Sequence, residues 1–228
     1  MATEKEAFSR TISLVGENAF AVLQKSRVLL VGLGGVGGAA AEVLVRGGVG
    51  NITFVDGDDF EPSNLNRQLL CTVSELKKNK AAVAAQRAKS INADINVTAI
   101  PQFVSADNIG KIISEDYDYC IDAIDDLPNK VLLISECKKH GINIISALGA
   151  GNRIGCDFCI TDIYKTKDDP FARKLRHELK KAGVLSLDVA CALSPPLVKH
   201  GTPSSISAPP LVMGAMLANF AIRKIINL

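Results

Sequence analysis

Residues Arg27–Gly37 read RVLLVGLGGVG, and few other short stretches narrow the choice of fold as much. Arg27–Gly32 is an apolar, β-branched run bounded by glycine, the pattern of a strand buried on both faces of a parallel sheet. Gly32, Gly34, Gly35 and Gly37 then form a turn that opens directly into the alanine-rich helical segment Ala39–Arg46, which stops at Gly47-Gly48. The first glycine permits the tight turn, the second lets backbone N–H groups approach a phosphate, and the third allows close helix–strand packing. The N-terminus of the helix adds partial positive charge. A glycine turn without ligand has the same spelling. The strand before it and the helix after it favour a nucleotide.

The rest of the chain repeats the alternation. Strands are expected at Asn51–Val55, Ile95–Ile100, Tyr119–Ala123 and Ile142–Ser146, and helices at Leu14–Lys25, Lys80–Ile91, Ala106–Ile113 and Asn129–His140. That order implies an α/β fold of Rossmann-like type, a mostly parallel sheet with helices on both faces. After Gly155 the rhythm loosens. Ile160–Ile163 and Val184–Ala192 are expected strands around a charged helix, Pro170–Lys181, and the Pro/Ser/Gly-rich stretch Ser194–Pro210 is expected to be a mobile loop and candidate lid. Ala208–Leu228 is apolar but interrupted by Pro209, Pro210, Asn219, Arg223 and Lys224, and reads as a buried helix rather than a membrane span. We therefore expect one domain over 1–228, with a nucleotide-binding core in 1–155 and a C-terminal substrate or lid portion in 156–228.

Composition excludes some functions. With 26 Lys+Arg against 24 Asp+Glu and no Trp, the chain lacks the basic excess of a non-specific nucleic-acid binder and the aromatic platforms of a single-strand binder. The charged start has no apolar core of a signal peptide, and the six cysteines are scattered, which fits reduced thiols in a cytoplasmic protein.

Polar residues beyond the glycine turn point to the chemistry. Asp56 ends the second strand, 19 positions past Gly37 (56 − 37), where a carboxylate holds ribose hydroxyls. This arrangement serves NAD and ATP equally. The following segment, Asp58 to Gln68 (DDFEPSNLNRQ), places amides and a guanidinium where the outer phosphates of ATP would lie, and a dehydrogenase has no evident use for it. Lys80, opening the next helix, could add a point charge. Without a ligand, the same loop would be a solvated polar surface. Asp122-Ala-Ile-Asp125-Asp126 closes the fourth strand, at the sheet edge where ligands bind. Asp125 suits Mg²⁺ as a hard oxygen ligand, although either Asp125 or Asp126 could instead cap the next helix.

Together, GLGGVG, Asp56, Ser63–Gln68 (SNLNRQ), Lys80 and Asp125 resemble the ubiquitin-activating-enzyme-like (ThiF-type adenylating) superfamily, which includes enzymes of thiamine and molybdopterin biosynthesis. The resemblance implies that Gly32, Gly34, Gly35, Gly37, Asp56, Asn64, Arg67, Lys80 and Asp125 bind ATP, with Mg²⁺ at Asp125. Arg67, Asp125 and Lys80 would serve catalysis, joined by Arg10, which in homodimeric relatives reaches into the partner's site. Within the superfamily the chain is most similar to the tRNA threonylcarbamoyladenosine dehydratases. That likeness rests on Phe8-Ser-Arg-Thr11, Tyr117–Asp125, Gly149-Ala-Gly-Asn-Arg153 and the block Thr161–Arg176. It implies ATP-dependent adenylation of the threonylcarbamoyl carboxylate on a tRNA adenosine next to the anticodon. Ring closure by the same side chain's carbamoyl group would follow, with net loss of water. It also leaves room for a monovalent cation and a sulfur-related protein partner. The alternative is an activator of a sulfur-carrier or ubiquitin-like protein C-terminus.

The sequence departs from the dehydratase pattern at Ala7, where an Arg is common, and around Cys191. Cys191 is expected to be structural, because it has no neighbouring base. Cys156 and Cys159 have the spacing of half a zinc site, but Cys191, His177 and His200 do not complete it regularly, so no structural zinc is expected. The basic stretch Arg173–Lys181 fits either a solvated helix face or a tRNA contact.

Overall fold

The computed structural model describes residues 4–113, 116–167, 169–198 and 204–228. A single seven-stranded sheet runs β3-β2-β1-β4-β5-β7-β6. In chain order its strands are β1 (Arg27–Val31), β2 (Asn51–Val55), β3 (Asn96–Ile100), β4 (Tyr119–Asp122), β5 (Asn143–Ala147), β6 (Phe158–Asp162) and β7 (Asp188–Ala192). All neighbours pair in parallel except β6, which lies antiparallel to β7 at one edge. Residues 158–162 thus close a sheet that the earlier strands begin. The expected strand over Val184–Ala192 shortens to Asp188–Ala192, because Val184 and Leu187 pack as a loop under the helix before it.

The apolar strands alternate their side chains between two cores. Val28, Leu30, Ile52, Phe54, Ile121 and Ile145 face one side, with helices α4 (Gly35–Gly47), α5 (Lys80–Ile91) and α9 (Ala208–Ile225). Leu29, Val31, Val55, Cys120, Ile144 and Val189 face the other, with α6 (Ile109–Ile112), α7 (Leu127–Lys139) and α8 (Pro170–Lys181). A strand covered on both faces has no solvent side to mark with polar residues, which is why the sequence shows runs and not alternation.

At the N-terminus, α1 (Glu4–Ala7) precedes α2 (Ser9–Val15) and α3 (Glu17–Lys25). The single helix expected over Leu14–Lys25 is divided at Gly16, whose φ of +87° breaks the helical path. The helix expected over Ala106–Ile113 is a single turn, Ile109–Ile112. No helix among the described residues is long and apolar enough to cross a membrane.

The last helix described, α9, comes from the C-terminal portion yet packs along α4 of the nucleotide core. Gly214 makes this possible: a Cβ there would stand 2.1 Å from the Val36 carbonyl oxygen and 2.8 Å from the Ala39 Cβ. In an exposed helix Gly→Ala would stabilise by about 1 kcal/mol. Here the sign reverses. Gly214→Ala should destabilise the fold by about 1–3 kcal/mol through overpacking, read as a lower urea midpoint at unchanged m-value; a raised midpoint would mean that the helices have room to part.

Candidate active site

The strand order reverses between β1 and β4, and loops at the carboxyl ends of these strands part there. A cavity of about 710 Å³ opens at that point. Its floor is the glycine loop. Gly32 has φ +86°, and a Cβ on it would strike the Ala123 carbonyl oxygen at 2.6 Å. Gly34 precedes α4 in an extended conformation and faces open space; the nearest group to a Cβ placed there would be the Gln68 side-chain nitrogen, at 3.9 Å. Gly35 begins α4 against Pro210 and the Arg67 carbonyl. Gly37 does not line the cavity; a Cβ there would lie 1.7 Å from the Gly32 carbonyl oxygen, so its part is close packing and not ligand contact. The N–H groups of the first turn of α4 have no acceptor within the helix and are available to an anion.

Asp56, at the end of β2, borders the cavity. Its carboxylate accepts the Leu33 N–H at 2.6 Å and the Asp58 N–H at 2.8 Å, so it braces the glycine loop as well as facing the cavity. Burial pushes its pKa above the usual carboxylate range, and these two backbone donors oppose that rise. Lys80 is buried, borders the cavity and pairs with Asp58 at 2.9 Å. Asn79 caps the start of its helix.

The loop after β2 holds Arg67 in place. Its guanidinium donates to the Ser63 carbonyl at 2.8 Å and to Asn66 Oδ1 at 2.9 Å, leaving other donors for the cavity it lines. Asn64, expected to bind ATP, lies within the turn that precedes Arg67. It is buried away from the cavity, and its Oδ1 accepts the Glu61 N–H at 3.0 Å in a reciprocal cap of the 3₁₀ turn Pro62–Asn64. It shapes the loop that presents Arg67. At the end of β4, Asp126 caps α7 through the Asn129 N–H. Both carboxylates are exposed and border the cavity, but Asp126 is the one that takes the cap, and Asp125 has no hydrogen-bond or ion-pair partner among the described residues. Arg10 lies on α2, exposed, and does not line the cavity of its own chain.

Several residues of the site are not singled out by sequence reasoning. Gln68 is buried beside Gly34, with its Oε1 unpartnered among the described residues. Phe103 lies against Gly57, which has no room for a side chain there. On the far wall are Gly149–Asn152 and Phe171. Asn152, at φ +59°, accepts the Ser204 N–H on its side chain, donates its N–H to the Ser204 carbonyl, and accepts the Leu197 N–H, all at 2.7 Å. Asn66 holds the Ser205 carbonyl at 2.9 Å. Both shoulders of the stretch expected as a lid are thereby tied to the cavity wall; residues 199–203, with His200, lie outside the described residues. The GAGNR segment contains Asn152, but its only signal is that asparagine tolerates the left-handed conformation a loop junction requires.

The cysteines stand apart from this chemistry. Cys159 and Cys191 face each other across β6 and β7 with Sγ atoms 3.6 Å apart. Burial and the hydrogen bond with Cys159 push the Cys191 thiol up to about 12. A thiol of that kind is protonated at neutral pH and a poor nucleophile. Cys156 is exposed.

With this fold and a glycine-loop cavity at the switch point of its sheet, the chain belongs to the ThiF family, whose pattern matches residues 8–228. It is 40% identical over 177 residues to the tRNA threonylcarbamoyladenosine dehydratase of Escherichia coli K12, covering 77% of this chain and 66% of that protein. Identity to the Bacillus subtilis 168 protein of the same name is 38% over 178 residues, covering 78% of this chain and 70% of the relative. The matched stretch thus spans about two thirds of the length of these relatives. The crystal structure of the E. coli dehydratase, TcdA, in complex with ATP matches with a TM-score of 0.93 at 32% identity, covering 100% of this chain and 97% of that one. A second crystal of the same enzyme holds AMP.

Proposed function

We propose that the chain is an ATP-dependent tRNA threonylcarbamoyladenosine dehydratase working through an acyl-adenylate. The observation that carries this reading is a single cavity with two chemical halves. One half gathers the glycine loop, Asp56, Arg67, Lys80 and Asp125. The other is walled by Gly149–Asn152 and Phe171, and in this reading it receives the acyl group. ATP fits the donor set: α4 offers N–H groups to phosphate, Asp56 offers acceptors to ribose, and Arg67 and Lys80 bring cations. One unengaged carboxylate, Asp125, suits Mg²⁺, which binds through few carboxylates plus phosphate oxygens and neutralises their charge.

In the proposed reaction a carboxylate oxygen of the threonylcarbamoyl group attacks the α-phosphorus of ATP, and the bond to the bridging oxygen breaks to release pyrophosphate. Arg67 and Lys80 meet the charge that grows on the leaving group. The carbamoyl group then attacks the acyl carbon, expelling AMP and a proton, so that tRNA loses the elements of water. An intramolecular attack with an effective molarity on the order of 10⁵ M needs no enzyme thioester, in keeping with the buried Cys191. Incubation with ATP should therefore yield tRNA nucleosides lighter by one water on mass analysis, and ATP with Mg²⁺, not NAD, should raise the melting temperature; the same titration with K⁺ or Na⁺ added reads any monovalent contribution. Arg67→Ala should cut turnover about 10²–10³-fold while ATP affinity falls much less. Unchanged tRNA, or equal stabilisation by NAD, would sink the reading.

The active form on this proposal is a homodimer, with Arg10 of each chain completing the other's site. Arg10→Ala chains mixed with Arg67→Ala chains should then recover part of the lost activity, since some mixed dimers hold one intact site; absence of rescue, with subunit exchange confirmed, would place the whole site in one chain.

The tRNA, in the same reading, approaches over the start of α8. Of that helix's cations, Arg176 is tied to Thr166, Lys180 lies over the Tyr164 ring, and Lys181 pairs with Glu178. Arg173 and Lys174 are exposed, and they stand next to Phe171 at the cavity. Replacing both with Ala should weaken tRNA binding and flatten its salt dependence by a slope of about 1–2, with ATP-induced stabilisation intact; an unchanged salt slope would return them to the solvated face.

A further inference from the structure

Helix α7 buries Lys130, Leu133, Ile134 and Cys137, a stripe at helical spacing whose first member is a lysine. The Lys130 side chain and that of Asp122 on β4 are both 0% exposed, with Nζ and Oδ2 2.7 Å apart. Ser146, the register partner of Asp122 on β5, donates to the same oxygen at 2.7 Å. The remaining bonds of the pair go to one place. Asp122 Oδ1 accepts the Ile124 N–H at 3.0 Å, and Lys130 Nζ donates to the Ile124 carbonyl at 2.7 Å. Both polar groups of Ile124 are thus held from beneath by the ion pair.

The turn at Ile124 is where the glycine loop and Asp125 meet. Gly32 has no room for a side chain because the Ala123 carbonyl and the Ile124 N lie 2.6 and 3.1 Å from where its Cβ would be. Asp125 follows immediately. We propose that Lys130 is a positioning residue: Asp122 fixes the Ala123–Ile124 peptide through its N–H and Lys130 fixes the Ile124–Asp125 peptide through its carbonyl, so that the pair sets both the seat of the glycine loop and the placement of Asp125 relative to it. Stability alone is a poor reason for such a pair, since well-packed apolar residues replace buried ion pairs without loss in many proteins. Two directed bonds onto one residue of the turn, from a pair itself braced by Ser146, are a reason of another kind.

The inference rests on the nucleotide reading of the cavity, and the test separates the two. Lys130→Met alone strands a buried carboxylate and should lower the urea midpoint sharply. The double variant Asp122→Leu/Lys130→Met removes both charges and should return the midpoint towards that of the parent. Its nucleotide site should not return: the ATP·Mg²⁺ concentration needed for half-maximal thermal stabilisation should rise at least about tenfold, and turnover should fall about 10²-fold, the scale of a misplacement near 1 Å. Recovery of stability and ATP response together would overturn the proposal and make the pair structural. Should the double variant not fold, Ser146→Ala decides, because it frees one bond to Asp122 without orphaning a charge. A several-fold rise in that half-maximal concentration at near-parental midpoint supports positioning, and a parental ATP response overturns it. A parent protein that responds to ATP but leaves tRNA unchanged would fail the tRNA reading only.

Discussion

Two stretches of backbone lie almost in contact at the centre of this molecule: the turn after β1 and the turn after β4. Gly32 rests on Ala123, and Gly37 rests on Gly32. The glycines are needed there less for flexibility than for thinness, because any side chain at either position would push the strand ends apart. With β1 and β4 held this close, α4 starts directly above the carboxyl edge of the sheet, and the loops on either side are left to form the cavity walls. The geometry of the glycine loop is thus a by-product of how tightly two adjacent strand ends can be stacked.

Around that contact, charged residues divide their labour. Asp56 braces Leu33 and Asp58 while still facing the cavity, and Asp58 in turn engages Lys80. Asn64 and Asn66 shape the loop that fixes Arg67. Groups that would meet a ligand are therefore held by groups that would not. This is the arrangement a site needs if its donors are to be in place before charge develops, because side chains already oriented lose little on reaction.

Much of this is legible in the residues, and the failures have physical causes. β1, β2 and the helix starting at Lys80 are plain, since the run, the glycine turn and the caps agree. The motif does not disclose the structural parts of Asn64 and Gly37: one folds its own loop, and the other leaves space for the Gly32 carbonyl. Lys130 escapes notice because a lysine on a helix is normally solvated. Yet Leu133, Ile134 and Cys137 point back to it by three- and four-residue steps, so extending the apolar stripe by one turn finds it. Gly16 shows the limit of composition: the residues on both sides favour helix, and only the backbone angle of one glycine divides them.

The pairing of α9 with α4 also sets an order of events in the cell. The glycine motif, Asp56, Arg67, Lys80 and Asp125 have all left the ribosome well before residue 210, yet Pro210 backs Gly35 and Gly214 seats α9 on the first turns of α4. A nascent chain therefore carries every residue of the proposed nucleotide site for some time without the helix that packs along α4. During that interval the α4 face bearing Ala40 and Leu44, buried in the finished core, lacks its cover.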